Sequence, residues 1–100
     1  MMKVNFTKRA SDAARNLQPK QARQIAAKIA NLRVNPHPQD CKKLHGTDYL
    51  HVDLGEYRIV YRLSNETDPE TSQDETVLNI DAIGKRNDDE VYRKLARKLR

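Results

Sequence analysis

The chain has no tryptophan, one phenylalanine (Phe6), one cysteine (Cys41) and three glycines among its 100 residues. The lone cysteine excludes an internal disulfide and fits a reducing compartment. No apolar run approaches the ~20 residues that span a bilayer. Met1-Met2-Lys3-Val4 carries no apolar leader stretch. A cytoplasmic protein without a membrane partner is the expectation. With so few aromatics, the core must be built from Val, Ile, Leu, Ala and Tyr. Apolar residues make up 37% of the chain and charged residues 33%. That composition excludes a disordered chain, and the length suits one small, highly charged domain, 1–100, with a modest core.

Acidic residues are scarce at both ends. Residues 1–46 hold ten Lys/Arg against two Asp/Glu, and residues 85–100 hold seven against three. Residues 47–84 reverse the balance, with two against nine, leaving a net charge of +5. Cations segregated in this way favour a polyanionic partner over an evenly solvated surface.

Met2, Val4 and Phe6 alternate with polar residues and predict a short first strand. Thr7 suits the cap of a helix running to about Leu17, with Ala10, Ala13, Ala14 and Leu17 on one face. Pro19 suits the first turn of a second helix. There Ala22, Ile25, Ala26, Ile29 and Leu32 repeat at helical spacing until Asn35-Pro36-His37-Pro38 stops it. A connecting stretch to Asp48 contains Lys42, Lys43 and Gly46. Tyr49–Leu54 and Tyr57–Leu63 then read as strands joined by a two-residue turn, Gly55-Glu56. Residues 64–75 are polar and acidic, and read as a mobile surface loop. Val77–Ile83 reads as the last strand, and Asp89–Leu99 as a final helix with Val91, Leu95 and Leu99 as its stripe. The order β-α-α-β-β-β-α predicts a small single-domain α+β protein. Its antiparallel sheet would carry two N-terminal helices on one face and end in a short C-terminal helix.

The two-residue turn fixes a register. Leu54 would face Tyr57, Asp53 would face Arg58, His51 would face Val60, and Tyr49 would face Arg62. Side-chain alternation then puts Tyr49, His51, Asp53, Arg58, Val60 and Arg62 on one sheet face, expected to be polar and open. Leu50, Val52, Leu54, Tyr57, Ile59, Tyr61 and Leu63 take the other, under the helices. Beyond the last strand, Gly84-Lys85-Arg86 and Tyr92 fall where a strand gives way to a helix, a common place to hold a phosphate.

The Leu44-His45-Gly46 bend, the Gly55-Glu56-Tyr57-Arg58 hairpin and the Gly84-Lys85-Arg86…Val91-Tyr92 ending occur in an order that resembles the RelE/ParE toxin superfamily. The likeness is nearest to its RelE-type branch and spans nearly the whole chain. The resemblance implies a toxin of a type II toxin–antitoxin system that cuts mRNA in the ribosomal A site. The reaction would be metal-independent, by attack of a ribose 2′-hydroxyl on the adjacent phosphate, with no cofactor. It carries catalytic roles onto Arg58, Arg86 and Tyr92. Arginines suit the charge that builds on the phosphate oxygens, and tyrosine can stack on a base or exchange a proton. Where RelE-type enzymes carry two basic residues before the hairpin turn, this chain has His51 and Asp53. His51 suits a general base, with an ordinary pKa of about 6.5. Asp53 fits the site poorly, because an arginine neighbour lowers its pKa and its charge repels RNA. Lys42, Lys43, Arg62 and Lys85 are the expected substrate-binding cations. The implied partners are a cognate antitoxin, the ribosome with its mRNA, and operator DNA through the antitoxin.

Each site residue has a plainer alternative. Arg58 is placed to pair with Asp53 across the hairpin, Arg86 to be solvated, and Tyr92 to lie against the sheet. For the chain as a whole, the competing readings are a ParE-like DNA gyrase inhibitor and a catalytically impaired homologue that binds an antitoxin. His37, Cys41 and His45 recur every four residues and are legitimate zinc ligands. Pro38 breaks the helix that would align them and no fourth ligand is evident, so no metal site is expected.

Overall fold

The computed structural model describes residues 2–85. The elements are β1 (Lys3–Phe6), α1 (Lys8–Arg15), α2 (Pro19–Val34), β2 (Lys42–Lys43), β3 (Leu50–Leu54), β4 (Tyr57–Thr67) and β5 (Asp74–Lys85). They form a five-stranded sheet in the order β1-β5-β4-β3-β2. The expected final helix, Asp89–Leu99, lies outside the described residues.

Thr7 does two jobs where β1 becomes α1. Its side chain caps the helix by accepting from the Ala10 amide at 3.1 Å, and its hydroxyl donates to the Asp81 carbonyl at 2.9 Å. One residue therefore ends the strand, starts the helix and ties both to β5. Pro19 opens α2, and Asn35, in extended conformation before Pro36, closes it.

The sheet is mixed rather than wholly antiparallel. β1 runs parallel to β5, while β5/β4, β4/β3 and β3/β2 are antiparallel. Strands joined by hairpins must run antiparallel, but β1 reaches its neighbour only through helices and the other strands, so no hairpin constrains it.

The core lies between the helices and one sheet face. Ala10, Ile25, Ile29 and Leu32 pack with Val52, Ile59, Tyr61, Leu78, Ile80 and Ile83. Leu50, Leu54, Tyr57 and Leu63 join from the same face, as the hairpin register predicts. Among the described residues, Tyr61 is the largest fully buried side chain. Its hydroxyl donates to the Pro36 carbonyl at 2.7 Å, anchoring the loop after α2. Burial, with Cys41 nearby, holds this phenol well above its usual pKa.

The acidic segment is not the loop that its composition suggests. β4 and β5 stay paired out to Thr67↔Asp74, so only the connection from Asp68 to Gln73 turns. The ribbon is held by its own polar groups. Thr67 donates to Asp74 at 2.8 Å, Thr76 to Asn65 at 3.3 Å, and the Asp68 amide to the Gln73 carbonyl at 2.8 Å. Both faces of the ribbon are solvated, so it carries no apolar alternation to read.

A register shift interrupts β4/β5. Val60 pairs with Ala82 and Tyr61 with Ile80, which leaves Asp81 as the extra residue of a bulge. The bulge lets both Ile80 and Ile83 join the helix-side core.

Tyr61→Phe should lower stability by about 1 kcal/mol, because the Pro36 carbonyl loses its donor while the ring stays packed. Urea unfolding should show a lower midpoint at unchanged slope.

Candidate functional site

The face away from the helices gathers much of the chain's polar chemistry. β3 contributes His51 and Asp53, and β4 contributes Arg58, Val60 and Arg62. The observed pairs Leu54↔Tyr57, Asp53↔Arg58 and His51↔Val60 match the expected register. Lys42 of β2 pairs directly with His51 and extends the row to the sheet edge.

This face is not open across its centre. Tyr49 is buried, and with Leu44 it packs on Val60 and Ala82 to form a second, small apolar cluster. The turn between them is tightly bonded. The Leu44 amide donates to the Tyr49 carbonyl at 2.9 Å, and the Thr47 amide to the Leu44 carbonyl at 3.1 Å. Thr47 Oγ1 donates to the same carbonyl at 2.9 Å and accepts from the Tyr49 amide at 3.1 Å. Gly46 supplies the left-handed backbone, φ +75°, that such a turn needs. Tyr49 therefore precedes β3 rather than standing opposite Arg62.

Arg58 and Asp53 form a two-point pair. Arg58 Nε donates to Asp53 Oδ1 at 2.6 Å, and a terminal nitrogen donates to Oδ2 at 3.1 Å. Side-chain exposures of 18% and 32% place the pair at the rim of the face, not in bulk solvent. The carboxylate fixes the plane of the guanidinium, which is how an arginine is preorganised.

His51 is 8% exposed. Its Nδ1 lies 4.0 Å from Asp53 Oδ1 and has no hydrogen-bond partner. Burial lowers its pKa below the ordinary 6.5. Arg58 and Lys42 push the same way, and Asp53 opposes them. The lowered pKa favours the neutral ring, the state a general base requires.

The structure divides the remaining candidates. Arg62 follows Arg58 and Val60 along the same face, with its Nε buried and unpartnered. It lines a cleft of about 440 Å³ with Gly46, Thr47, Asp48 and Tyr49. Lys43 pairs with Leu50, so by register it belongs with the helix-side residues and not with His51. Lys85 pairs with Tyr57 and is likewise out of the His51 row, because the bulge at Asp81 resets the parity of the end of β5. Arg86 and Tyr92 lie outside the described residues. Among the described residues no three His, Cys, Asp or Glu side chains gather as a metal-binding group, and His37, Cys41 and His45 do not converge.

Sequence reasoning placed a bend at Leu44-His45-Gly46 but missed that the Gly46–Tyr49 turn folds back onto the sheet face, and it missed the bulge residue Asp81, which is 2% exposed. The turn had a signal, since Gly46-Thr47-Asp48 is turn chemistry. The bulge had none.

The sequence profile of the ParE toxins of type II toxin–antitoxin systems (ParDE) matches residues 4–90. The chain belongs to this family. It is thus a type II toxin of the RelE/ParE superfamily, and solved toxins share its fold. An arginine-to-alanine double variant of E. coli RelE, in the free state, is 24% identical with a TM-score of 0.72, covering 99% of this chain and 98% of that one. The RelE–RelB complex of Pyrococcus horikoshii gives 24% identity and 0.63, covering 85% and 94%. The RelBE2 toxin–antitoxin complex of Mycobacterium tuberculosis gives 22% and 0.64, covering 85% and 98%. No curated protein matches the chain. Among the described residues of the toxin, no helix is long and apolar enough to cross a membrane.

The depressed His51 pKa makes a pH prediction. Well above pH 6.5 the ring is neutral in folded and unfolded chains alike. Below it, the unfolded chain takes up a proton that folded His51 resists, so the stabilisation is lost as pH falls through the folded pKa. Urea unfolding should therefore show a stability loss from pH 7.5 to 5.5 that shrinks in His51→Gln. An NMR titration of the His51 ring should give a pKa below 6.5, and a value above it would contradict the burial argument.

Proposed function

We propose that this toxin is a ribosome-dependent mRNA endonuclease held in check by a cognate antitoxin. The observation that carries the reading is the juxtaposition on one sheet face of a neutral, buried-edge His51 and an Arg58 oriented by Asp53. In the reaction, His51 takes the proton of a ribose 2′-hydroxyl as its oxygen attacks the adjacent phosphorus. The bond to the 5′-oxygen breaks, and the leaving oxygen collects a proton. The products are a 2′,3′-cyclic phosphate and a 5′-hydroxyl end. Arg58 faces the charge that grows on the non-bridging oxygens. Arg86 and Tyr92 take the roles that the RelE-type resemblance gives them. Asp53 is a holder of Arg58 rather than a base, since an acceptor of two guanidinium bonds is a poor proton acceptor.

The solved relatives include RelB–RelE complexes from P. horikoshii and M. tuberculosis. By analogy, a cognate antitoxin would bind this chain, and operator DNA would be reached through that antitoxin.

A second reading, inhibition of DNA gyrase as in ParE toxins, is favoured by two observations. The matching family is that of the ParE toxins. Asp53 also stands where RelE-type enzymes carry a basic residue.

Primer extension on a reporter mRNA in cell-free translation separates the two. Cuts within codons, present only on translated message, are expected. His51→Ala and Arg58→Ala should each reduce cutting about 100-fold or more, the usual effect of losing a proton acceptor or an oxyanion partner. Intact message from a protein that still arrests growth and damages gyrase-bound DNA would replace this reading with the second.

A further inference from the structure

We propose that Asp53 is the positioning residue of His51: it holds the ring's proton on Nδ1, leaves Nε2 for the substrate, and balances the imidazolium that forms when Nε2 takes the 2′-hydroxyl proton. This inference rests on the RNA-cleaving reading, and gives a role to the residue that fits that reading least.

The geometry singles out one oxygen. His51 and Asp53 stand two apart on β3, so their side chains share the outer face. His51 Nδ1 lies 4.0 Å from Asp53 Oδ1, the same oxygen that accepts from Arg58 Nε at 2.6 Å. Nδ1 is buried and has no hydrogen-bond partner. A proton on Nδ1 faces a carboxylate and is attracted to it, whereas a lone pair there would be repelled. That selects the tautomer, and the lone pair falls to Nε2. The gap is roughly 1 Å longer than a charge-assisted hydrogen bond. It closes when the ring becomes charged and the attraction grows. An ionised carboxylate offers about four acceptor positions, so Asp53 can serve the guanidinium and the ring together.

The charges around the ring call for such a partner. Among the described residues, Arg58 of β4 and Lys42 of β2 disfavour the imidazolium, and burial of a ring only 8% exposed adds to both. Asp53 of β3 opposes them. A histidine beside two cations with no anion would hold a proton too weakly to draw one from a hydroxyl. The two departures from the RelE-type pattern therefore belong together: a histidine base needs the anion that a lysine in its place would not.

In the step, Nε2 takes the 2′-hydroxyl proton as the 2′-oxygen bonds to phosphorus. The bond to the 5′-oxygen breaks with its electron pair on that oxygen, which takes a proton from water. The Nδ1 proton stays on the ring and donates to Asp53, which stays ionised. His51 then returns its Nε2 proton to the hydroxide left by the water.

The test begins with the unmodified toxin, ¹⁵N-labelled, whose ring nitrogens report the tautomer at a pH where His51 is neutral. The Nδ1–H form is expected, against the Nε2–H form that free imidazole side chains favour, and Asp53→Ala should return the ring to Nε2–H. An Nε2–H ring in the unmodified toxin would overturn the proposal. A second arm separates positioning of His51 from the holding of Arg58. In an Arg58→Ala background, with toxin in excess over ribosomes, Asp53→Asn should slow message cleavage by a further factor of about ten, the equivalent of one pKa unit of lost imidazolium stabilisation. No further loss would mean that Asp53 acts only through Arg58, and would overturn the proposal. The Asp53 side chain is 32% exposed and asparagine keeps its size, while the tautomer of the unmodified toxin needs no variant at all. Intact message together with an Nδ1–H ring would sink the nuclease reading and leave the pairing of Asp53 with His51 standing.

Discussion

Every side-chain placement on β3 and β4 depends on the two-residue turn at Gly55-Glu56. Gly55 sits at φ +59°, a backbone that other residues adopt only under strain. Because the turn is two residues long, Leu54 closes on Tyr57 and every later pair follows. A slip of one residue on either strand would send Val52 or Ile59 to the outer face and bring His51 or Arg58 under the helices. Burial of Val52, Ile59 and Tyr61 therefore enforces the register that aligns Asp53 with Arg58. Packing on one face and ion pairing on the other are two consequences of a single geometric choice.

The bulge at Asp81 adds a second constraint. It makes Ile83 a core residue and puts Gly84, with no side chain, directly opposite Arg58. In an unbulged strand Ile83 would share a face with Asp81, and Gly84 would leave a gap under the helices. The extra residue thus keeps the end of β5 apolar on the inside. Thr7 reinforces this arrangement, since its bond to the Asp81 carbonyl ties the irregular point of β5 to the start of α1.

The helices, the hairpin and its two faces were legible because each has a local rule: a capping threonine, a proline at a helix start, a glycine in a tight turn, an alternation of period two. His51, Asp53, Arg58 and Arg62 could be assigned to one face before any coordinates for that reason. The plainer alternative for Arg58, its pairing with Asp53, was equally legible and is the observed geometry. The parallel pairing of β1 was not, since nothing local sets the direction of a strand joined through helices. The ribbon was misread because polar strands with solvent on both sides lack the alternation that betrays a strand. Its Glu66↔Glu75 pair even runs against cross-strand charge rules. Burial of the face by Leu44 and Tyr49 was hidden as well, because it depends on how a turn folds back in three dimensions.

The ribbon also resolves an electrostatic difficulty. Residues 47–84 are strongly acidic in sum, which argues against a polyanion on strands drawn from that same segment. Five of the nine acids, however, are Glu66, Asp68, Glu70, Asp74 and Glu75, on the ribbon. Glu66 lies four residues beyond Arg62, about 13 Å along the strand, and the others pair with it or lie farther out. That exceeds the ~8 Å screening length at physiological salt. Near His51, Asp53 is matched by Arg58, while Lys42 and Arg62 have no carboxylate partner among the described residues. The field over the face is therefore set by its nearby cations, and the acids act mainly on orientation. On the proposed RNA-cleaving reading, a nucleic acid approaching this sheet would be repelled from the ribbon end and drawn to the end bearing Lys42, so its path across the face would have a preferred direction.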